Sequence, residues 1–274
     1  MIEGNLSKMA VTSDGDAQYT LRISDERIAL NACIGKTIHF KFNGVINCIH
    51  CGRETKKSFN QGYCFPCSKR LAACDICIVR PEKCHYEQGT CREPEWAQQH
   101  CFQPHFVYLA NSSGVKVGIT RHSQVPTRWL DQGAEQALPI YQVANRFISG
   151  LVETALKAHV SDRTDWRKML KGNAEAKDLI QVRDELYAKN TETESELRQR
   201  FGDDAITRLH AAQSVDFCYP VTAYPAKVSS LGFDKTAEIS GVLQGIKGQY
   251  LFIDGKVLNM RKHTGYYVSF DIAP

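Results

Sequence analysis

Cys48-Ile49-His50-Cys51 and Cys64-Phe65-Pro66-Cys67 are two Cys-x-x-Cys pairs separated by twelve residues. Each pair can close a tight turn that aims two sulfurs at one point, and four thiolates satisfy the tetrahedral preference of zinc. Gly52 and Ser68, directly after the second cysteine of each pair, are small enough for such turns. Bound metal would add folding energy to a segment with few large apolar residues. A redox dithiol uses one such pair on an αβ framework, so the doubling points to zinc. Nine of the eleven cysteines fall within residues 48–101. The first residues show no basic stretch followed by an apolar one, so the expected location is cytoplasmic, where clustered thiols signify metal rather than disulfides.

A second group is less orderly: Cys74, Cys77, Cys84, Cys91 and Cys101, with His85, His100 and His105 interspersed. Cys74-Asp75-Ile76-Cys77 is a further knuckle, and four of these five cysteines are expected to hold a second zinc. An iron–sulfur cluster would be satisfied by the same number of thiolates. Spacing leaves the ligand set open. Cys33 and Cys218 are expected to pack as small apolar side chains. Around the first pairs, Lys56, Lys57, Lys69 and Arg70 stand among Phe59, Tyr63 and Phe65, groups suited to phosphate contact and base stacking. A solvated rim around a structural zinc would look the same.

Residues 106–153 carry a third constellation: Phe106-Val107-Tyr108, Lys116-Val117-Gly118-Ile119-Thr120, then Arg128, then Glu153 on an expected helix, away from its apolar face. In this order they resemble the GIY-YIG nuclease superfamily, over about fifty residues. The resemblance implies two strands bearing the name motifs, an Arg facing the scissile phosphate and a Glu holding one divalent metal. Glu153 would then bind Mg²⁺ or Mn²⁺, Arg128 would clamp phosphate, and Tyr108 would orient or deprotonate water. Gly118 would let the backbone approach substrate, and Lys116, Gly118, Arg121, His122 and Arg128 would line the nucleic-acid cleft together with Lys69 and Arg70 nearby. Such a cut needs a nucleophilic water, a Lewis acid and positive charge for the developing anion. Phe106 replaces the motif Gly and Lys116 the motif Tyr. A lysine with its ordinary pKa of about 10.4 can act as a base only if strongly depressed. The whole layout, with Cys84-His85, Gly89-Thr90-Cys91-Arg92 and Thr127-Arg128-Trp129-Leu130-Asp131-Gln132-Gly133, also resembles a little-characterised bacterial family of unknown function.

The elements that must position these groups point to an α+β protein. A strand-rich segment is expected over 1–47, a zinc-ribbon-like module over 48–104, a small mixed GIY-YIG-like core over 105–172, trailing helices over 173–215 and a second strand-rich segment over 216–274. Tyr19, Leu21 and Ile23 alternate as in a strand, and Asn43-Gly44 and Asp254-Gly255 are hairpin signals. Strands are expected at 106–110 and 115–119. Helices are expected at 146–160, 174–189 and from a cap at Thr193. No long internal repeat is visible. The strand-rich ends could pair into one small barrel.

The formal net charge is only +4, but residues 102–170 carry eight Lys/Arg against five Asp/Glu, whereas 173–213 are acidic. A polyanion partner is thereby permitted. No apolar run approaches the ~18–20 residues that span a bilayer, so no membrane partner is expected. Three readings follow: a zinc-binding, divalent-metal-dependent nuclease, a non-catalytic DNA- or RNA-binding module using the same cleft, and a zinc-stapled protein scaffold. Glu153 gathered with Arg128 and Tyr108 favours the first. Glu153 paired with a local Lys favours the second. An exposed apolar patch without positive surface favours the third.

Overall fold

Tyr19, Leu21 and Ile23 are buried on one side of a strand while Gln18 faces solvent, and this alternation recurs at both ends of the chain. The computed structural model describes residues 1–273 and, at Asp14, the backbone alone. The architecture is α+β. The N-terminal stretch supplies β1 (Ile2–Asn5), β2 (Ala10–Asp14), β3 (Asp16–Ile23), β4 (Glu26–Ala29) and β5 (Thr37–Ile46). The C-terminal stretch supplies β11 (Ser230–Leu231), β12 (Glu238–Lys247), β13 (Tyr250–Ile253), β14 (Lys256–Asn259) and β15 (Tyr266–Ile272). One sheet joins the two ends in the order β1-β15-β5-β12-β13-β14-β11, and β2-β3-β4 form another. The bridge between Leu6 and Ile23 connects them. Among the described residues the outer strands β1 and β11 do not pair with each other, so the larger sheet is open rather than a closed barrel.

The two ends are also copies of one another, which the sequence reading missed. Leu21, Ile23, Gly35, Ile38 and Phe40 recur at one constant separation as Leu251, Ile253, Gly265, Val268 and Phe270. Each copy is a hairpin, a 3₁₀ turn (Leu30–Cys33 or Met260–His263), a left-handed glycine (Gly35 or Gly265) and a long strand. The pairings repeat as well: Ile2 faces Phe270 as Ile239 faces Phe40, and Gly4 faces Val268 as Gly241 faces Ile38. The copies meet where Phe40 faces Phe270, ring centroids 4.7 Å apart, both buried.

Asn43-Gly44 does not turn the chain. β5 runs straight through it, with Gly44 in the left-handed region and a register shift against β15 nearby. Pairing with β12 on one side and β15 on the other outweighs the local turn preference, which is accommodated as an irregularity. Asp254-Gly255 does form a hairpin, between β13 and β14.

The central sheet is antiparallel, with β6 (His105–Asn111) between β7 (Val115–Arg121) and β8 (Gln136–Val143); β9 (Ile206–Arg208) and β10 (Val215–Asp216) extend it beside β8. Both faces of β6 are buried. Tyr108 and Ala110 join the core shared with the chain ends, whereas Val107 and Leu109 join a core under the helices. On that second face lie α4 (Arg146–Leu156), α6 (Leu179–Lys189) and α7 (Thr191–Phe201). The helix from 191 begins two residues before the expected Thr193 cap. Its Glu194 is not a solvated residue: buried, it accepts from Tyr141 Oη at 2.6 Å and from Arg208 Nε at 2.9 Å. The cysteine-rich region contributes α1 (Phe65–Arg70) and α2 (Pro94–His100), and two short helices complete the fold, α3 (Thr127–Asp131) and α5 (Trp166–Met169). Asp165 caps α5 through the amides of Arg167 and Lys168. No helix among the described residues is long and apolar enough to cross a membrane.

Candidate metal centre and nucleic-acid cleft

The sulfurs of Cys48, Cys51, Cys64 and Cys67 lie within 4.8 Å of one another. The first pair sits on a turn closed by Gly52 N–H donating to the Cys48 carbonyl, with Gly52 in the left-handed region. The second pair opens α1, where Pro66 suits the first turn. The Ile49 amide donates to the Gly62 carbonyl and ties one turn to the other at 2.8 Å. Burial opposes ionisation of Cys48, but amides of Cys51, Cys64 and His50 outweigh it and bring the thiol down to about 6. Four converging sulfurs, one already favoured as thiolate, fit zinc.

The second group gathers differently from the expectation. Asp75, Cys77 and His85 place one donor atom each within 4.8 Å of one another. Cys74 instead packs beside Cys48, Cys64, Cys67 and Leu71, and Cys84, Cys91 and Cys101 fall outside the Asp75–Cys77–His85 triangle. Asp75 is already paired with Arg92 at 2.6 Å. Cys33 is buried as expected, whereas Cys218 is exposed.

Tyr108, Lys116, Gly118, Arg121, Arg128 and Glu153 all line one cleft of about 390 Å³. β6 and β7 supply the first four, α3 and α4 the last two. His122 is not among the lining residues; it is exposed and lies against Phe106, ring centroids 5.0 Å apart. Lys69 and Arg70 lie outside this cleft, on α1. Gly118 has an ordinary φ, and its role differs from the one expected: a Cβ there would sit 2.7 Å from Tyr108 Oη, so its bareness makes room for the phenol. Tyr108 Oη donates to Gln132 Oε1 at 2.9 Å, and Lys116 Nζ donates to the same oxygen at 3.0 Å and to Thr164 Oγ1 at 2.6 Å.

The segment 127–133 explains itself residue by residue. Arg128 enters the cleft; Trp129 and Leu130 fill the core shared with the chain ends. Asp131 pairs with Lys8 and accepts from Gln249, and Gln132 receives Tyr108 and Lys116. Gly133 takes a left-handed turn against Met169.

A family model matches residues 35–268, most of the chain and all of this site. The chain belongs to DUF2797, a family of proteins of unknown function. No curated protein and no solved structure matches it.

Three further groups of this DUF2797 cleft escaped the sequence reading. Arg146 begins α4 and donates to the Ile78 carbonyl, while its buried Nε has no partner among the described residues. Arg261 comes from the 3₁₀ turn of the C-terminal repeat and donates to Gln61 of the cysteine-rich region. Asp162 is the third. The wall opposite β7 is Ile78, Val79 and Pro81, held on α4 at Gly150, where a Cβ would lie 2.5 Å from Pro81 Cβ. The cysteine-rich region therefore forms part of the cleft.

The electrostatics of the cleft are one-sided. Among the described residues Lys116, Arg121, Arg128, Arg146 and Arg261 make no ion pair, whereas Glu153 and Asp162 are both paired with Lys157, at 3.5 and 3.2 Å. Burial and then Arg128 push Lys116 down to about 8, against the pull of Glu153 and Asp162. Burial and Arg128 likewise lower Arg261. Burial holds the Glu153 carboxyl above its ordinary range despite Lys157. Burial raises the Tyr108 phenol, which is more than the nearby Arg128 can reverse.

Proposed function

We propose that this protein is a zinc-stapled nucleic-acid-processing factor whose cleft holds and cuts a phosphodiester in the manner of the GIY-YIG superfamily. The observation that carries this is the meeting of five unpaired cationic side chains with Tyr108 and Glu153 in one cleft. Cations left without carboxylates around a concave, partly dry site favour a polyanion.

Arg121, Arg128, Arg146 and Arg261 hold phosphate oxygens on both sides of the scissile bond, where the planar guanidinium suits two oxygens at once. Lys116 is the base. As a neutral amine it has two N–H bonds, and both are used, on Gln132 and Thr164. The lone pair is then left to take a proton from an attacking water, and its depressed pKa leaves an amine fraction near neutral pH. Tyr108 is a raised, donating phenol, so it positions Gln132 and does not deprotonate water. Glu153, with Asp162 beside it, would hold Mg²⁺ or Mn²⁺. A hard cation takes one or two carboxylates and otherwise water and phosphate, and Lys157 now bridges these two carboxylates as a cation does. When bound, the metal supplies a Lewis acid to a phosphate oxygen.

Labelled single-stranded, duplex and branched DNA and a structured RNA, incubated with Mg²⁺ or Mn²⁺, test this reading. Products from the wild type that are missing with Glu153→Ala, at equal binding, are expected. The Glu153–Lys157 pair favours a second reading, a non-catalytic binding module, for which the same assay gives salt-dependent binding and no products. No binding to any of these polymers would sink both.

A further inference from the structure

We propose that an unpaired flank of the bound polynucleotide leaves the cleft over Ile78 and Val79 and stacks on Phe65 and Phe59 of the zinc-bearing region. This rests on the polyanion reading of the cleft. Ile78 and Val79 line the cleft on one side and, on the other, a second depression of about 430 Å³, so the two adjoin across these residues. The second depression is lined by Phe59, Phe65, Lys69, Ile76 and Arg92 among others. Its apolar groups are unusually bare: Phe65 is 53% exposed, Ile76 50% and Val79 73%.

Each ring carries an ammonium group. Lys69 Nζ lies 5.4 Å from the centroid of Phe65 and Lys57 Nζ 5.5 Å from that of Phe59, the two rings meeting edge to face at 5.5 Å. A base stacked on either ring keeps its phosphate within reach of that lysine, the combination that single-strand sites use. The carboxylate in the depression, Asp75, is neutralised by Arg92. Charge therefore favours a polyanion over a neutral apolar partner. A duplex presents no free base face, so the occupant is a single strand.

Fluorescence anisotropy with labelled oligothymidylates of about 4 and about 16 nucleotides, spanning the range of single-strand site sizes, tests the flank. Phe65→Ala is expected to weaken the longer oligonucleotide by about 5- to 150-fold and the shorter one little. Phe65→Leu, which keeps apolar bulk without a π face, should behave like the alanine variant. Lys69→Ala should reduce the log–log salt slope by about 0.7. Zinc content checks that each variant is folded. If Phe65→Ala and Lys69→Ala bind the longer oligonucleotide as the wild type does while Arg128→Ala does not, the flank is elsewhere and the cleft stands. Full affinity in Phe65→Leu would show that no base stacks on this ring and overturn the proposal. No affinity of the wild type for either length overturns the proposal, and the cleft reading falls with it only if duplex DNA, branched DNA and structured RNA are left unbound as well.

Discussion

Tyr108 and Gly118 face each other across β6 and β7, and the phenol of the first occupies the space where the second has no side chain. One residue is thus bare so that the other can reach Gln132, which in turn receives Lys116. Gly118→Ala places a Cβ 2.7 Å from Tyr108 Oη and must move a fully buried ring. The expected cost is about 1–3 kcal/mol, read as a fall in the midpoint of denaturant unfolding. Combined with Tyr108→Ala, the same substitution should cost much less than the sum of the two, because the clash is gone. Additive effects would place the strain elsewhere.

Lys116 gives the cleft a pH dependence. Its proton is held less tightly in the fold, at about 8, than at the ordinary 10.5. Between those values the unfolded chain binds more protons, so stability rises with pH through that window; below about pH 8 the full penalty of a buried ammonium applies. The difference in unfolding free energy between wild type and Lys116→Met should therefore change between pH 8 and 10.5 and level off below. Oligonucleotide affinity should fall as pH passes 8 in the wild type and not in the variant.

The four-cysteine site should carry zinc. Cys64→Ser is expected to lose that metal and to unfold the turns around 48–70, since a site absent from the unfolded chain makes binding energy into folding energy. Elemental analysis with circular dichroism reads both. Metal that survives Cys64→Ser and disappears in Cys77→Ser would belong to the second group, at Asp75, Cys77 and His85.

Gly150→Ala tests the joint between the cleft and the cysteine-rich region. A Cβ there lies 2.5 Å from Pro81 Cβ and 2.6 Å from the Glu82 amide nitrogen. Helix α4 would have to leave the 81–83 turn, and Glu153 moves with it. Weaker oligonucleotide binding at unchanged zinc content is the expected result. Retained affinity would show that this wall is dispensable.

The four-cysteine cluster was legible because its members are local: two short spacings decide it. Tyr108, Lys116, Gly118, Arg121, Arg128 and Glu153 were legible as a set because β6, β7, α3 and α4 lie close together in the chain. What the sequence hid is whatever long-range packing decides. Arg261 reaches the cleft from the far end of the chain, and Arg146 looks like any helix-opening arginine. Asn43-Gly44 reads as a turn until two strands arrive on either side of it. The repeat escaped because only inward positions are kept: Asn31 and Cys33 in one copy stand as Arg261 and His263 in the other. In the second cysteine group, the expectation rested on thiols alone, whereas Asp75, Cys77 and His85 are the donors that gather.

The duplicated ends impose an order of events on synthesis. β5 takes both of its neighbours, β12 and β15, from the last part of the chain, and β1 pairs along its length with β15. At about 5–20 residues per second, β5 leaves the ribosome roughly 10–40 s before β12 exists to meet it. During that interval an apolar strand stands with both edges open. The nascent chain must be sheltered until its own second half arrives, and a chain halted early exposes Ile38, Phe40 and Phe42 to whatever quality control reads bare strands.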